Sequence, residues 1–519
     1  MDVPFKVLEH SYGFADGKQM VEETGSGNKI IHGDNLEALK ALLPEFEGRI
    51  KCIYIDPPYN TGNENWVYND NVNDPKIKKW LKQVVGKEGE DLSRHDKWLC
   101  MIYPRMKLLH KLLADDGAIF ISLDDNEQAN FRLIMDEIFG TANFVANIMW
   151  QKRTSPDARL NLGPAHDFVV CYAKTKRTNK FNLVPLTQGR EKDYKNPDKD
   201  VRGLWASVDI TGQKGHATEN QFYEIETPTG RKLFPPKNRC WAIAETTFQA
   251  LRDDNRIWFG KNGNAKPRQK KFLFESEGTT VWTWWTNTEV GHNQEAAKEL
   301  LEIFGDEAGF ETPKPTRLID RILRLATKKD DIVLDSFAGS GTTGHAILNL
   351  NKQDNGNRKF ILIQIDETDK TGNAIDIAET ITAERIRRVI KGYADKEGTS
   401  GSFDFYELGA PLFDEEGNLN ETIGIIKIRS YIFYTETKKP IQEKAHKDNE
   451  AYLGKQNDTA YYFHYKPDET TSLDHAFLAT MKTKAGQYVV YADNCLVTKE
   501  FLAKHNIIFK KIPRDITRF

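Results

Sequence analysis

Four consecutive residues of this 519-residue chain could hold an amino group: Asp56, Pro57, Pro58 and Tyr59. They follow the apolar run 50–55, which predicts a buried strand. Open α/β sheets bind their ligands beyond the carboxyl ends of such strands. Proline fixes φ and keeps only its carbonyl as an acceptor, Asp56 adds a charged acceptor, and Tyr59 adds a flat aromatic face. This combination suits an exocyclic amino group on a stacked base, although Asp and Pro are also ordinary turn formers.

A second group of residues predicts a binding site for a nucleotide-type cofactor. Residues 331–336 are typical of a strand, and the glycine-rich stretch after them leads into a helix. Glycines let the backbone pass close to a ligand, and a helix amino terminus offers N–H groups to an anion. The next predicted strand, 359–365, ends at an acidic residue. We therefore predict cofactor contacts from Asp335, Phe337, Ala338, Gly339, Gly341, Thr342, Thr343 and Asp366.

The glycine spacing by itself leaves two classes of cofactor open. Gly339, Gly341 and Gly344 satisfy the G-x-G-x-x-G pattern of dinucleotide sites, and Asp366 lies about 20 residues further on, as that pattern requires. A P-loop is a weaker match because no lysine follows the glycines. An NAD-dependent oxidoreductase is therefore an alternative to a methyl-donor cofactor.

The two motifs together resemble those of amino-group DNA methyltransferases, which transfer a methyl group from S-adenosylmethionine (SAM) to adenine N6 or cytosine N4. The complete stretch 335–343 is closer to their cofactor motif than to the dinucleotide pattern. The resemblance implies that a base is flipped out of the duplex, because its amino group cannot be reached inside the stack. It also implies that Tyr59 stacks on this base, while Asp56 and the Pro57 carbonyl accept hydrogen bonds from the amino group.

The order of the motifs resembles the β class of these enzymes, because the catalytic motif precedes the cofactor motif by about 280 residues. In that class Asp335 is expected near the methionine amino group of SAM, and Asp366 is expected to hold the ribose hydroxyls. Asp34 and Lys314 also match cofactor-site positions. Asp34 is equally well placed to be the N-cap of the next helix. Lys314 lies in Pro313-Lys314-Pro315, a segment that could instead start the following helix rigidly. No metal is expected, since a sulfonium already activates its methyl group.

Positive charge is concentrated in the segment 151–290, although the whole chain has a net charge of −3. This segment holds 24 Lys+Arg and 16 Asp+Glu, whereas 1–150 holds 17 and 24. The resemblance implies that this segment recognises the target sequence. Its basic, turn-rich stretch suits phosphate contacts, although a solvated surface loop has the same composition. We predict DNA contacts from Lys261, Lys266, Arg268, Lys270 and Lys271.

The resemblance implies an α/β fold, namely a SAM-dependent methyltransferase (Rossmann-like) mixed sheet assembled from two distant segments. We predict a catalytic half at 1–150, an inserted target-recognition domain at 151–290, a cofactor-binding half at 291–393 and a C-terminal α+β extension at 394–519. No apolar run approaches the roughly 18 residues of a membrane span, and no signal segment is visible. Five scattered cysteines suggest neither a disulfide framework nor a metal site. We therefore expect a cytoplasmic protein.

These observations predict a site-specific DNA adenine-N6 methyltransferase that resembles the modification subunit of Type III restriction-modification systems. Adenine is preferred to cytosine because N4-cytosine members of the family usually have Ser where Asp56 stands. The expected partners are double-stranded DNA, a second copy of the chain and a restriction (helicase-nuclease) subunit. The alternatives are a solitary adenine methyltransferase, a DNA-specificity and assembly subunit for a restriction endonuclease, and an RNA amino-methyltransferase.

Overall fold

A mixed sheet of eleven strands organises the larger of two compact units, Met1–Asn182 with Thr283–Phe519. The computed structural model describes residues 3–61, 94–156, 161–185, 192–276, 278–305, 309–310, 312–368, 374–414, 416–441, 448–467 and 469–518. The strands of the sheet are β1 (Lys6–Ala15), β2 (Lys18–Met20), β3 (Lys29–His32), β4 (Ile50–Ile55), β5 (Leu113–Leu123), β6 (Phe144–Gln151), β7 (His166–Ala173), β8 (Trp284–Trp285), β9 (Ile332–Asp335), β10 (Lys359–Gln364) and β11 (Ser402–Pro411). Their order across the sheet is β8-β6-β7-β5-β4-β9-β10-β3-β11-β1-β2.

The centre of this sheet joins two distant parts of the chain. β4 and β9 run parallel, with Cys52 beside Val333 and Ile53 beside Leu334. β9 pairs in parallel with β10, and β10 with β3. Strands covered on both faces are apolar throughout, which is why the run 50–55 shows no alternation of polar residues. The prediction of a methyltransferase-like sheet assembled from two segments is confirmed.

Helices cover the sheet and supply much of its core. The helices used below are α1 (Asn35–Phe46), α2 (Arg94–Leu112), α3 (Gln128–Phe139), α4 (Asn293–Phe304), α5 (Thr316–Ala326), α6 (Thr342–Asp354) and α7 (Glu384–Lys391). In α2, Ile102, Met106 and Leu109 recur at helical spacing and are fully buried. They pack in the same core as Ile53 of β4. The catalytic strand is therefore held by a helix that follows it in sequence.

The smaller compact unit is Leu183–Trp282. Its strands are Trp205–Asp209, Thr211–Gln213, Ile225–Glu226, Lys232–Leu233, Arg239–Trp241, Ile257–Trp258 and Arg268–Phe272, and its helix is Glu245–Asp253. Its core includes the buried Trp241 and Phe248. The unit is narrower than the insertion predicted at 151–290, because β6, β7 and β8 are strands of the large sheet. It carries 17 Lys+Arg against 13 Asp+Glu, so part of the positive excess lies outside it.

The chain returns to the large sheet after α7. β11 lies between β3 and β1, so the extension predicted at 394–519 begins with a strand of the main sheet. Beyond it come the helix Ile425–Thr437 and a four-stranded sheet of Tyr452–Gln456, Thr459–Phe463, Gln487–Ala492 and Ile507–Lys511. The first two strands of this sheet are antiparallel, and the others join in parallel through the helices His475–Thr480 and Lys499–Lys504. This part of the extension therefore has α/β connections.

The remaining helices and strands are short. They are the helix Asn287–Val290, the π-helix Ala378–Ala383, and the strand pairs Glu367–Thr368 with Ala374–Ile375, Gly392–Tyr393 with Lys396–Glu397, and Ser472–Leu473 with Asn494–Cys495. Over the part of the chain that the structure describes, no helix combines the length and apolar character needed to cross a bilayer.

Candidate active site

Three neighbouring parallel strands end at one edge of the large sheet and bring the predicted residues together. Asp56 follows β4, Asp335 is the last residue of β9, and Asp366 follows β10. Because these strands are adjacent and parallel, their carboxyl ends lie side by side. The catalytic and cofactor motifs are therefore neighbours in the fold, although they are far apart in the chain.

The Asp56 carboxylate forms an ion pair with Lys314. Lys314 Nζ donates a hydrogen bond to Asp56 Oδ2, and it lies 5.1 Å from the centroid of the Tyr59 ring. The segment 313–315, just before α5, positions this lysine. Asp56 Oδ1 is buried and accepts no hydrogen bond of normal geometry from the described residues. Lys314, predicted as a cofactor contact, thus contacts the catalytic motif, and one oxygen of Asp56 stays available.

A second ion pair, which sequence reasoning missed, neighbours this site. Lys152 Nζ lies 2.5 Å from Oδ1 of the buried Asp167, at the ends of β6 and β7. Burial raises the pKa of Asp167, while the positive charge of Lys152 opposes that rise. Burial and the negative charge of Asp56 also raise the pKa of Tyr59 well above its ordinary value. The Tyr59 ring is therefore a neutral phenol among paired charges.

The turn that carries Pro58 and Tyr59 is fixed by residues outside the motif. Trp98 Nε1, in α2, donates a hydrogen bond to the Pro58 carbonyl at 2.7 Å. Asn60 has φ +55°, in the left-handed region that Asn tolerates better than most residues. Its side-chain amide donates to the buried carboxylate of Glu127. The Pro58 carbonyl is thus engaged within the protein, which leaves the Pro57 carbonyl as the acceptor that the resemblance implies.

Asp335 accepts hydrogen bonds from two residues of the glycine-rich stretch that follows it. Its Oδ1 accepts from the Phe337 backbone N–H at 3.1 Å, and its Oδ2 accepts from Thr343 Oγ1 at 2.5 Å. Burial raises the pKa of Asp335 to about 7, and these two hydrogen bonds oppose the rise. Phe337 is a buried core residue, as is Ala338, whose N–H donates to the Ile363 carbonyl. The side chains of Phe337 and Ala338 therefore pack inside the protein beneath the loop backbone.

Two glycines of the loop have conformations that other residues rarely adopt. Gly339 has φ +51°, and a Cβ there would lie 2.9 Å from the Phe310 ring. Its N–H donates to Gln364 Oε1 at 2.7 Å. Gly341 has φ +76° and is the N-cap of α6, where a Cβ would lie 3.2 Å from the Thr382 carbonyl oxygen. Glycine is therefore favoured at both positions by its positive φ and by the protein atoms that a Cβ would meet.

A buried arginine donates hydrogen bonds to side chains of the glycine-rich loop. Arg385, in α7, donates to Thr342 Oγ1 at 2.8 Å and to Ser340 Oγ at 3.0 Å, and it pairs with Glu299 of α4 at 3.2 Å. Burial lowers the pKa of Arg385. The Thr342 hydroxyl, predicted to contact the cofactor, is therefore engaged by Arg385. Sequence reasoning missed Arg385, whose helix appeared only to end the domain.

Asp366 is a partly exposed carboxylate held by a histidine. Its Oδ1 lies 2.7 Å from His32 Nε2, and His32 Nδ1 lies 2.8 Å from Glu407 Oε2. Burial alone would lower the pKa of His32, but the hydrogen bond with Asp366 and the charges of Glu407 and Asp376 raise it. The Asp366 side chain is 43% exposed and is therefore accessible at the sheet edge.

Asp34 is the N-cap of α1 in this structure. Its Oδ1 accepts from the backbone N–H groups of the first helical turn, and its Oδ2 pairs with the fully buried Arg105 at 3.2 Å. Arg105 also donates to Asn35, whose amide donates to the Ser336 carbonyl at 2.8 Å. Both oxygens of Asp34 are engaged, so it supports the cofactor loop through its neighbours and the capping role is the one observed.

The predicted DNA contacts do not all lie on the surface. Lys270 is fully buried and forms ion pairs with Asp198 and Asp200, so its assignment as a DNA contact was wrong. Arg268 donates to the Ser207 backbone and hydroxyl. Lys261, Lys266 and Lys271 are exposed. In the strand Arg268–Phe272, alternation directs residue 270 inward and residue 271 outward.

At one edge of an α/β sheet, the Asp56–Tyr59 turn thus lies beside a glycine-rich loop. The chain belongs to the DNA methylase family, whose model matches residues 50–372. That match spans both motifs and the segment between them. Family membership removes the NAD-dependent alternative that the glycine spacing left open.

Relatives of this chain include subunits of restriction-modification enzymes. The chain is 39% identical over 420 residues to the Type III restriction-modification enzyme StyLTI Mod subunit of Salmonella typhimurium, covering 76% of this chain and 62% of that protein. It is 34% identical to the Type III restriction-modification enzyme EcoPI Mod subunit of Escherichia phage P1, and the match covers 72% of this chain and 64% of that protein. The chain thus spans less than two thirds of the length of either relative. A solved structure of the PvuII DNA methyltransferase (cytosine-N4-specific) matches at 15% identity, covering 69% of this chain and 92% of that chain, with a TM-score of 0.33.

Proposed function

We propose that this protein is a site-specific DNA methyltransferase that transfers a methyl group from SAM to the N6 amino group of a flipped adenine in duplex DNA. One observation carries the proposal: the Asp56 carboxylate, the Tyr59 ring and the glycine-rich loop share one edge of a methyltransferase sheet. An acceptor for an amino group therefore stands beside a loop built for a nucleotide cofactor. Membership of the DNA methylase family supports the same chemistry.

The residues of the loop fit SAM as the cofactor. Gly339 and Gly341 bring the backbone close to a ligand, and Asp335 offers a buried carboxylate to the methionine ammonium. The Ser336 hydroxyl is buried and has no hydrogen-bond partner among the described residues, so it is a polar atom ready for a ligand. Asp366 offers its exposed oxygen to the ribose. When bound, SAM supplies an electrophilic methyl group on a sulfonium.

The residues of the turn would orient the amino group of the base. Tyr59 stacks on the extruded adenine, and this contact offsets part of the few kcal/mol that unstacking costs. Asp56 Oδ1 and the Pro57 carbonyl accept the two N6–H groups, which directs the nitrogen lone pair toward the methyl carbon. Bound SAM would supply the methyl group from its sulfonium to this nitrogen, and the amino group would release one proton. Trp98 keeps the Pro58 carbonyl out of this contact.

Adenine is the proposed target because a carboxylate, not a hydroxyl, stands at position 56. In the family, N4-cytosine members usually have Ser there. Duplex DNA is the proposed polymer because the smaller compact unit exposes Lys261, Lys266 and Lys271, and exposed lysines suit phosphate contacts. We propose that this unit, 183–282, recognises the target sequence.

The proposed setting is a Type III restriction-modification system. Two relatives are named as Mod subunits of such enzymes, and the chain matches each over more than 70% of its own length. We propose that the protein acts in the cytoplasm as a homodimer and associates with a restriction (helicase-nuclease) subunit. The C-terminal extension beyond β11 is the proposed surface for these assembly contacts.

The proposal is tested by incubating unmethylated genomic DNA with the protein and SAM, with Asp56→Ala as control, and mapping modified bases on single molecules. We expect N6-methyladenine at one recurring motif, absent in the control. N4-methylcytosine would contradict the choice of base. Methylation of RNA alone would contradict the choice of polymer. Binding of SAM with no methylation of either would favour a specificity and assembly subunit.

A further inference from the structure

Glu127 is a fully buried carboxylate next to the catalytic turn, and the chemistry above gives it no role. It lies at the start of α3. Its Oε1 accepts from the Asn60 side-chain amide and lies 2.7 Å from His95 Nδ1, and its Oε2 accepts from Asn130 Nδ2 at 3.2 Å. Three side chains from three parts of the chain thus converge on one carboxylate.

Helix capping does not explain this burial. Glu127 is the N-cap residue of α3, yet its side chain makes no capping hydrogen bond. Its Oε2 accepts from the Asn130 side chain in the first turn of α3, whereas its Oε1 contacts Asn60 of the catalytic turn and His95 of α2. A buried carboxylate is costly unless several donors satisfy it. One of the donors that satisfy Glu127 is Asn60, which directly follows Tyr59 in the chain.

Asn60 is the residue through which Glu127 acts. Its φ of +55° lies in the left-handed region of backbone conformation, and the preceding residue is the proposed stacking tyrosine. A side-chain hydrogen bond to a fixed carboxylate holds this conformation. Trp98 holds the other side of the turn through the Pro58 carbonyl. The Tyr59 ring is therefore placed between two anchored residues.

We propose that Glu127 is a positioning residue for methyl transfer: by fixing Asn60 it sets the plane of the Tyr59 ring against the flipped base. This inference rests on the proposed function. It predicts that loss of the Glu127–Asn60 contact slows transfer without weakening the cofactor site. Small displacements of reacting groups lower rates by about 100-fold, so an effect of this order is expected.

The test uses the full-length protein and a duplex carrying the motif found by mapping. We expect Glu127→Ala to lower the single-turnover methylation rate 10- to 100-fold, with the dissociation constant of SAM unchanged within about twofold. Glu137→Gln, which alters an exposed carboxylate of the same helix that accepts from Tyr103, is the matched control and should keep the full rate. A target 2-aminopurine should report weaker stacking on Tyr59 in Glu127→Ala as brighter fluorescence.

A reciprocal exchange separates positioning from folding. In Asn60→Asp with Glu127→Gln, the donor and acceptor swap places, so we expect a rate at least fivefold above that of Asn60→Asp alone, in which two carboxylates face each other. A full rate in Glu127→Ala would overturn the inference. So would a parallel loss of SAM binding and thermal stability with no recovery in the exchange, which would indicate a purely structural role. A wild-type protein that methylates no polymer would instead refute the proposed function.

Discussion

Replacing Lys314 with Met tests which half of the active site this lysine serves. The structure pairs it with Asp56, and about nine tenths of its side chain is buried, since its relative exposure is 11%. A hydrogen bond to a charged group contributes about 1.5–3 kcal/mol. Because 1.36 kcal/mol corresponds to a tenfold change in rate, Lys314→Met should lower kcat roughly 10- to 150-fold. Steady-state methylation at saturating SAM and DNA measures kcat, and calorimetry measures the dissociation constant of SAM, which should change less than about twofold.

Two further variants make the Lys314 result specific. Lys314→Arg keeps the positive charge and should retain more activity than Lys314→Met. Lys328→Met removes an exposed lysine beyond α5 and should leave kcat unchanged. The reasoning is refuted if Lys314→Met keeps its kcat while the dissociation constant of SAM rises tenfold or more. That outcome would place Lys314 at the methionine end of the cofactor, as the family resemblance implied.

Four more predictions follow from the burial, charge or backbone conformation of single residues. Because burial raises the pKa of Asp335 to about 7, SAM should bind more tightly as pH rises through that value and its carboxylate forms; calorimetry should show this dependence, and Asp335→Asn should abolish it. Lys270→Met should lower the free energy of unfolding by about 3–5 kcal/mol in a urea titration, because it removes a buried cation from two carboxylates. Lys271→Ala should instead preserve stability and reduce the salt slope of DNA binding by about 1. Gly339→Ala should weaken SAM binding roughly tenfold, because its φ of +51° costs an alanine about 1–2 kcal/mol and its Cβ would meet Phe310.

The sequence predicted the strands of the candidate site well where short motifs lie at strand ends. The runs 50–55 and 331–336 marked the two central strands, and their acidic residues had to meet once those strands paired. Glycine spacing likewise predicted the backbone of the cofactor loop. These features depend on local composition and on the rule that open α/β sheets bind ligands beyond the carboxyl ends of their strands. A single sequence is therefore enough to predict them.

The contacts that hold the site could not be read from the sequence in the same way. Glu127 and Arg385 act on residues 67 and 43 positions away, and neither belongs to a motif. Lys270 looked exposed within a basic run, but the carboxylates that bury it lie about 70 residues earlier. The boundaries predicted at 151 and 290 differ from those of the compact unit 183–282, because apolar runs predict strands without showing which sheet the strands join.

The boundary of the smaller compact unit also corrects the charge argument. The segment 151–182 alone has seven Lys+Arg and two Asp+Glu, and it belongs to the larger compact unit. Lys152 of this segment is in an ion pair near the catalytic turn. Net charge over a segment therefore did not identify which lysines face solvent.

The pairing of β4 with β9 has a consequence for biosynthesis. Cys52 and Val333 lie about 280 residues apart, and a ribosome adds roughly 5–20 residues per second. The edge of β4 that will meet β9 therefore waits roughly 14–56 s for its partner after it leaves the ribosome. An apolar strand without its neighbour during that interval is a template for misassociation. Slow translation or loss of chaperones should lower the yield of active protein, although neither alters the finished fold.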